Sequence, residues 1–148
     1  MKTYGFESIA SSLGRIIKGV QAIKTRKMAQ YGLKGTTCAC ICHLYRSEEG
    51  LNAAELAQLS ESDKAQISRS TTELVEKGFI YRDEREGRCY KQKYRLTERG
   101  AEIASDLIHT IDQLKAAVGE GISEEEMQTF ERVLFLLERN FLNTLNEK

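Results

Sequence analysis

Large apolar side chains return every three or four positions near the N-terminus, at Ile9, Leu13, Ile16, Ile17, Val20 and Ile23. That period predicts an amphipathic helix from about Phe6 to Ala29, closed by Gly32 and Gly35. Thr36 or Thr37 is placed to cap a second helix reaching about Arg46, with Cys38, Ile41, Cys42 and Tyr45 on one face. Gly50 interrupts the pattern, and Asn52 caps a short helix whose inner face is Leu56 and Leu59. Ser62 or Asp63 caps the next helix, which runs to Lys77 and stops at Gly78. From Phe79 the period changes: Phe79–Asp83 and Arg88–Leu96 alternate around Glu86-Gly87, as a hairpin does. Thr97 caps a long helix carrying Ile103, Leu107, Ile111, Leu114 and Val118, ended by Gly119 and Gly121. Ser123 and Glu126 form a capping box for the last helix, with Met127, Phe130, Leu134, Leu137, Phe141 and Leu145 along one side.

A short helix, a tight break, a second helix and a hairpin make a winged helix-turn-helix. The predicted fold is mainly α with a small β-hairpin wing. The winged region spans 36–97 of a single chain, 1–148, and helices in 1–35 and 98–148 flank it for dimerisation. The last helix adds Val133, Phe135, Leu136 and Leu142 to its stripe, more apolar surface than a small centre covers, which predicts a homodimer.

On a helical wheel of the second helix of the motif, Ile67, Ser70, Thr71 and Leu74 point one way, at about 100° per residue. Lys64 opens the helix. Ala65, Arg69 and Thr72 point the other way, flanked by Gln66 and Ser68. Small, amide, hydroxyl and guanidinium groups are those that read base edges and phosphates in a major groove. Glu73 and Glu76 would repel phosphates, so the first two turns are the ones expected to enter. The hairpin adds Arg82, Arg85, Arg88, Lys91, Lys93 and Arg95, and a slim turn with Arg85 and Arg88 around Gly87 suits a minor groove.

Composition sharpens this in one respect. The 148 residues hold 22 Lys+Arg and 22 Asp+Glu, so net charge argues for no partner. Its distribution does: residues 1–35 carry seven basic and one acidic residue, and residues 79–95 six and three, against four and seven in 36–78. A polyanion responds to that local potential. No apolar run approaches the ~20 residues of a membrane span, and no signal peptide is recognisable, so the expected location is cytoplasmic. Cys38, Cys40, Cys42 and Cys89 are then expected as free thiols.

From Leu56 through Gly100 the chain resembles the MarR (multiple-antibiotic-resistance regulator) family of bacterial transcription factors. The resemblance rests on Glu55-Leu56-Ala57, Ser68-Arg69, Leu74, Lys77-Gly78-Phe79-Ile80 and Leu96-Thr97 with Gly100, at spacings that need no gap. The helices outside this stretch follow in the same order. The resemblance implies a homodimer whose first, fifth and sixth helices interlock and whose two winged helices bind a pseudo-palindrome in double-stranded DNA. Two positions depart from the pattern. The family's Asp-x-Arg in the wing falls on Arg88 and Tyr90, leaving Arg85 and Arg88 both as candidates for the minor groove. The turn before the recognition helix has Glu61 and Ser62 where the family has glycine and an apolar residue.

A small-molecule effector is expected in a cleft flanked by the second helix and the long helix after Thr97, with Cys38, Cys42, His43, Tyr45 and His109 around it. Core packing accounts for the cysteines as simply as oxidation chemistry does. His43 and His109 are the only histidines and are weak candidates for zinc; no metal or other cofactor is expected. No nucleophile elbow, phosphate-binding glycine loop or HExxH occurs, which argues against an enzyme. The competing reading is a winged helix used for protein–protein assembly without DNA binding, and a further one is a ligand sensor that has lost its operator.

Overall fold

In the computed structural model, which describes residues 5–84 and 92–146, the starts of the last four helices fall where local capping chemistry puts them. Six α-helices and two strands follow in order: α1 (Phe6–Ala29), α2 (Cys38–Tyr45), α3 (Ala53–Leu59), α4 (Lys64–Glu76), β1 (Ile80–Asp83), β2 (Lys93–Leu96), α5 (Glu98–Val118) and α6 (Glu124–Asn146). Asn52 caps α3 through a complete capping box with Glu55, at 2.9 and 2.8 Å. Asp63 caps α4 by accepting the Gln66 amide at 2.7 Å. Thr97 accepts the Gly100 amide at 3.0 Å to start α5, and Ser123 with Glu126 boxes the start of α6.

The second helix starts differently from expectation. A short 3₁₀ turn, Gly35–Thr37, runs directly into α2, so Thr37 already has helical backbone angles and its side chain caps nothing. Its hydroxyl donates instead to the Lys34 carbonyl at 2.6 Å, inside the turn.

The chain divides into two units, Met1–His109 and Thr110–Lys148. In the first, Met28, Ile41, Leu44, Leu56, Ile67, Leu74, Phe79, Ile80, Ile103, Ala104 and Leu107 form the core. Leu59, expected on the inner face of α3, is exposed, and Tyr45 is exposed while Cys38, Ile41 and Cys42 on its face of α2 are buried, because both helices are only about two turns long and their final turns overhang the core. β1 and β2 pair antiparallel, Ile80 opposite Leu96 and Asp83 opposite Lys93. Leu51 adds a bridge to Tyr94, exchanging backbone hydrogen bonds of 3.2 and 2.8 Å.

Two glycines of the sequence pattern have clear physical reasons. Gly78 takes φ +75 just past α4, a conformation other residues enter at a cost, and turns the chain into β1. Gly100 lies so close to the Phe79 carbonyl that a Cβ there would sit 1.9 Å from its oxygen.

In the second unit, α6 is continuous but buries none of its described side chains, while Phe130, Val133, Phe135, Leu136, Phe141, Leu142 and Leu145 are exposed. Among the described residues no helix is long and apolar enough to cross a membrane.

Candidate nucleic-acid interface

The α3–α4 turn sets the aim of α4. Ser60 ends α3, the Glu61 amide donates to the Gln58 carbonyl at 3.3 Å and the Ser62 amide to Ala57 at 3.0 Å. This is the hydrogen-bond pattern of a glycine-type helix stop, and Glu61 occupies the left-handed position at φ +49. Glu61 therefore holds a backbone conformation that glycine takes freely, at a cost of roughly 1–2 kcal/mol.

The wheel expected for α4 is the one observed. Ile67, Ser70, Thr71 and Leu74 are buried, and Lys64, Ala65, Ser68, Arg69 and Thr72 are exposed, with Gln66 and Glu73 half-buried. Thr71 tolerates burial because its hydroxyl donates to the Ile67 carbonyl one turn back, at 2.9 Å. On the exposed face the Arg69 guanidinium donates to Gln66 Oε1 at 3.2 Å; from there the chain of bonds runs inward, Gln66 Nε2 donating to the buried Ser70 Oγ at 3.1 Å and Ser70 Oγ to the Thr36 carbonyl at 3.4 Å. Glu73, which would repel a phosphate, accepts from Lys77 Nζ at 3.1 Å and from the Lys34 amide at 3.3 Å. Lys77 also reaches the Gly32 carbonyl, tying the end of α4 to the chain after α1. The exposed mouth of this surface holds Lys34, Ser68, Arg69, Thr72, Glu73, Glu76 and Lys77.

At the base of the wing, the basic residues serve the fold. Asp83 is buried and takes Arg95 Nε at 3.0 Å, while Arg95 also donates to the Glu48 carbonyl at 2.8 Å. Arg82 donates to the Tyr94 hydroxyl at 2.9 Å, and Lys93 faces Glu49 at 3.4 Å. The hairpin's positive charge is thus partly committed to internal pairs, which its sequence alone does not reveal. Arg85, Arg88 and Lys91 lie outside the described residues, as does Cys89.

The residues expected around an effector cleft sit in contrasting surroundings. Cys38 and Cys42 are buried one helical turn apart in α2 and hydrogen-bond to each other. That bond, reinforced by the charge of Lys24, lowers the Cys38 thiol to about 7 against the cost of burial. The same bond and burial push Cys42 up, and burial raises Cys40 to about 11. His43 is half-buried against the Leu59 backbone, and desolvation, followed by the Arg46 charge, lowers its pKa. Tyr45 and His109 are exposed. Among the described residues no three His, Cys, Asp or Glu side chains converge as a metal site.

A cluster that no local sequence pattern announces joins the end of α1 to α5. Asp106 accepts from the Tyr31 hydroxyl and from Lys27 Nζ at 2.6 Å. Those hydrogen bonds, Lys27 foremost, hold the Asp106 carboxyl below its usual range; burial and then the Asp106 bond lift the Tyr31 phenol to about 12. These partners are 75 residues apart, Tyr31 to Asp106, and no local pattern pairs them.

A helix-turn-helix followed by a two-stranded wing and flanked by long helices defines the winged-helix class. No family model matches the chain. Solved structures do: a MarR family transcription regulator superposes with a TM-score of 0.82 at 21% identity, covering 96% of this chain and 93% of its own. The Staphylococcus aureus MepR–DNA complex gives 0.77 at 17% identity over 95% and 99%. Staphylococcus aureus MarR, in complex with salicylate and kanamycin, gives 0.73 at 16% identity over 93% and 92%. The chain has the winged-helix fold of the MarR-family regulators.

Proposed function

We propose that the chain is a DNA-binding transcriptional regulator, a repressor acting as a homodimer on a pseudo-palindromic operator. The observation that carries this reading is the division of α4: its apolar side is covered by its own chain, and the free side offers a cation, hydroxyls and an amide at the helix start. Lys64, Ala65, Gln66, Ser68, Arg69 and Thr72 would face the major groove, with the N-terminus of α4 attracting phosphate. Arg85, Arg88 and Lys91 of the wing would follow the adjacent minor groove. The MepR–DNA complex, similar over nearly the whole chain, supports this use of the fold. The uncovered apolar side of α6 supports the second copy.

A small ligand or oxidation would tune affinity by changing the separation of the two recognition helices, which must match about one turn of DNA, ~34 Å. Cys38, Cys42, His43, Tyr45 and His109 are the residues proposed around the ligand, and the salicylate complex of Staphylococcus aureus MarR makes a planar aromatic acid a reasonable first probe. A gel shift with the DNA flanking the chain's own gene tests the whole reading. It should show a retarded complex that Arg69→Ala weakens, and a response to zinc, peroxide or salicylate identifies the signal class. A folded protein that retards none of this DNA at low salt contradicts it.

A further inference from the structure

We propose that Gln66 is a positioning residue that aims the Arg69 guanidinium, and does not itself read a base. The proposal rests on the reading of α4 as the recognition helix. Arg69 and Ser70 stand three and four residues beyond Gln66, so each of their side chains neighbours that of Gln66, which bridges the exposed and buried sides of α4. An arginine only donates, so the amide must present Oε1 to Arg69, as observed at 3.2 Å. That choice turns Nε2 towards Ser70 Oγ, which accepts at 3.1 Å. Ser70 is 2% exposed, and its own proton goes to the Thr36 carbonyl at 3.4 Å. Each donor direction is therefore dictated by its neighbour, from a fixed backbone carbonyl out to the guanidinium.

The consequence is a cation held in place before any ligand arrives. One N–H of a terminal guanidinium nitrogen goes to Gln66, which leaves an N–H on each terminal nitrogen free for a bidentate contact with guanine O6 and N7. Gln66 keeps one N–H and one lone pair, but the plane of its amide is set by Arg69 and Ser70, not by an adenine, the base a free glutamine favours. Holding a flexible side chain in advance lowers the ordering cost of the complex, and so raises discrimination more than general affinity for DNA.

Two measurements on the full chain test this separately. Nuclear relaxation of the Arg69 side-chain Nε–H, without DNA, should show restricted motion that Gln66→Ala releases and Ser70→Ala releases in part. Unchanged Arg69 motion in Gln66→Ala overturns the positioning role whatever the chain binds. The second uses a duplex enriched by the parent protein from a randomised library. Gln66→Ala should reduce discrimination about fivefold to tenfold at the base pair whose preference Arg69→Ala abolishes. Added to Arg69→Ala, it should change nothing more. A change at a different base pair, persisting in the Arg69→Ala background, would show that Gln66 reads a base directly and overturns the proposal. If no duplex is enriched, the recognition reading fails, and the relaxation result still decides whether Gln66 holds Arg69.

Discussion

Helices α4 and α6 share the amphipathic period but stand in opposite situations. In α4 the apolar side is spent: Ile67 and Leu74 are buried within the first unit, and what remains outside is polar and partly cationic. In α6 nothing described is buried, and what remains outside includes three phenylalanines, Phe130, Phe135 and Phe141. Periodicity alone does not distinguish such helices; what covers the apolar side does. A helix whose own chain covers it is free to offer its polar face to a charged ligand. A helix left uncovered needs another apolar surface, at about 25 cal/mol per Å² of apolar area removed from water. The first situation suits a polyanion and the second a further copy of the chain.

The largest expected effect breaks the first side of this comparison at its support. Gly100→Ala puts a Cβ 1.9 Å from the Phe79 carbonyl oxygen, a backbone atom that cannot swing away. The α5 start must separate from the end of α4, and chemical denaturation should report a loss of about 3–4 kcal/mol. A loss below about 1 kcal/mol would show that this approach is not constrained.

Leu137→Asp breaks the second side. Leu137 lies half-exposed on the apolar stripe of α6, so a carboxylate there is tolerable in a single chain and costly under a partner. Sedimentation should show a dimer for the parent at micromolar concentration and a shift towards monomer for the variant, about a hundredfold weaker in association. An unshifted dimer removes the stripe from the interface.

A smaller effect is expected at the junction of α1 and α5. Tyr31→Phe deletes the donor to Asp106 and should cost about 1 kcal/mol, because solvent reaches part of this cluster and weakens it. The pH dependence has a definite sign. With the phenol raised from its ordinary 10.0 to about 12, its contribution is whole below pH 10 and is lost as pH rises towards 12. Asp106 behaves oppositely: with its carboxyl held low, its contribution stands above the ordinary carboxylate range and disappears as acid protonates it. Denaturation of Tyr31→Phe should lack the alkaline loss and keep a weakened acid one through Lys27.

The smallest effect is a gain. Glu61 holds φ +49, so Glu61→Gly should stabilise by up to about 1 kcal/mol, the relief of left-handed strain less the extra freedom of an unfolded glycine. A destabilised Glu61→Gly would mean that the Glu61 side chain contributes more than its strain costs.

What was legible in the sequence follows from how local each signal is. Asn52, Asp63, Thr97 and Ser123 cap helices because the capping bond spans only three residues, and all four act as their positions suggest. The α4 wheel was legible for the same reason, since one helix fixes its own faces. Neither Thr36 nor Thr37 caps α2, because both lie within the 3₁₀ turn that runs into it, and a 3₁₀ turn and a helix start share residue preferences. The exposure of Leu59 was not legible, because the wheel gives direction but not whether anything lies there. The internal pairing of Asp83 with Arg95, and of Tyr31 with Asp106, depends on which elements meet in space, and no spacing in the sequence encodes that.

On the proposed reading, α4 would meet DNA while α6 brings two copies together. Selection of duplexes from a randomised library by the parent protein tests both at once. The enriched sequences should form an inverted repeat whose half-sites are about one helical turn apart, centre to centre, as two recognition helices related by a two-fold axis require. Enrichment of a single unrepeated half-site would contradict the paired arrangement, and no enrichment by a folded protein would contradict the account as a whole.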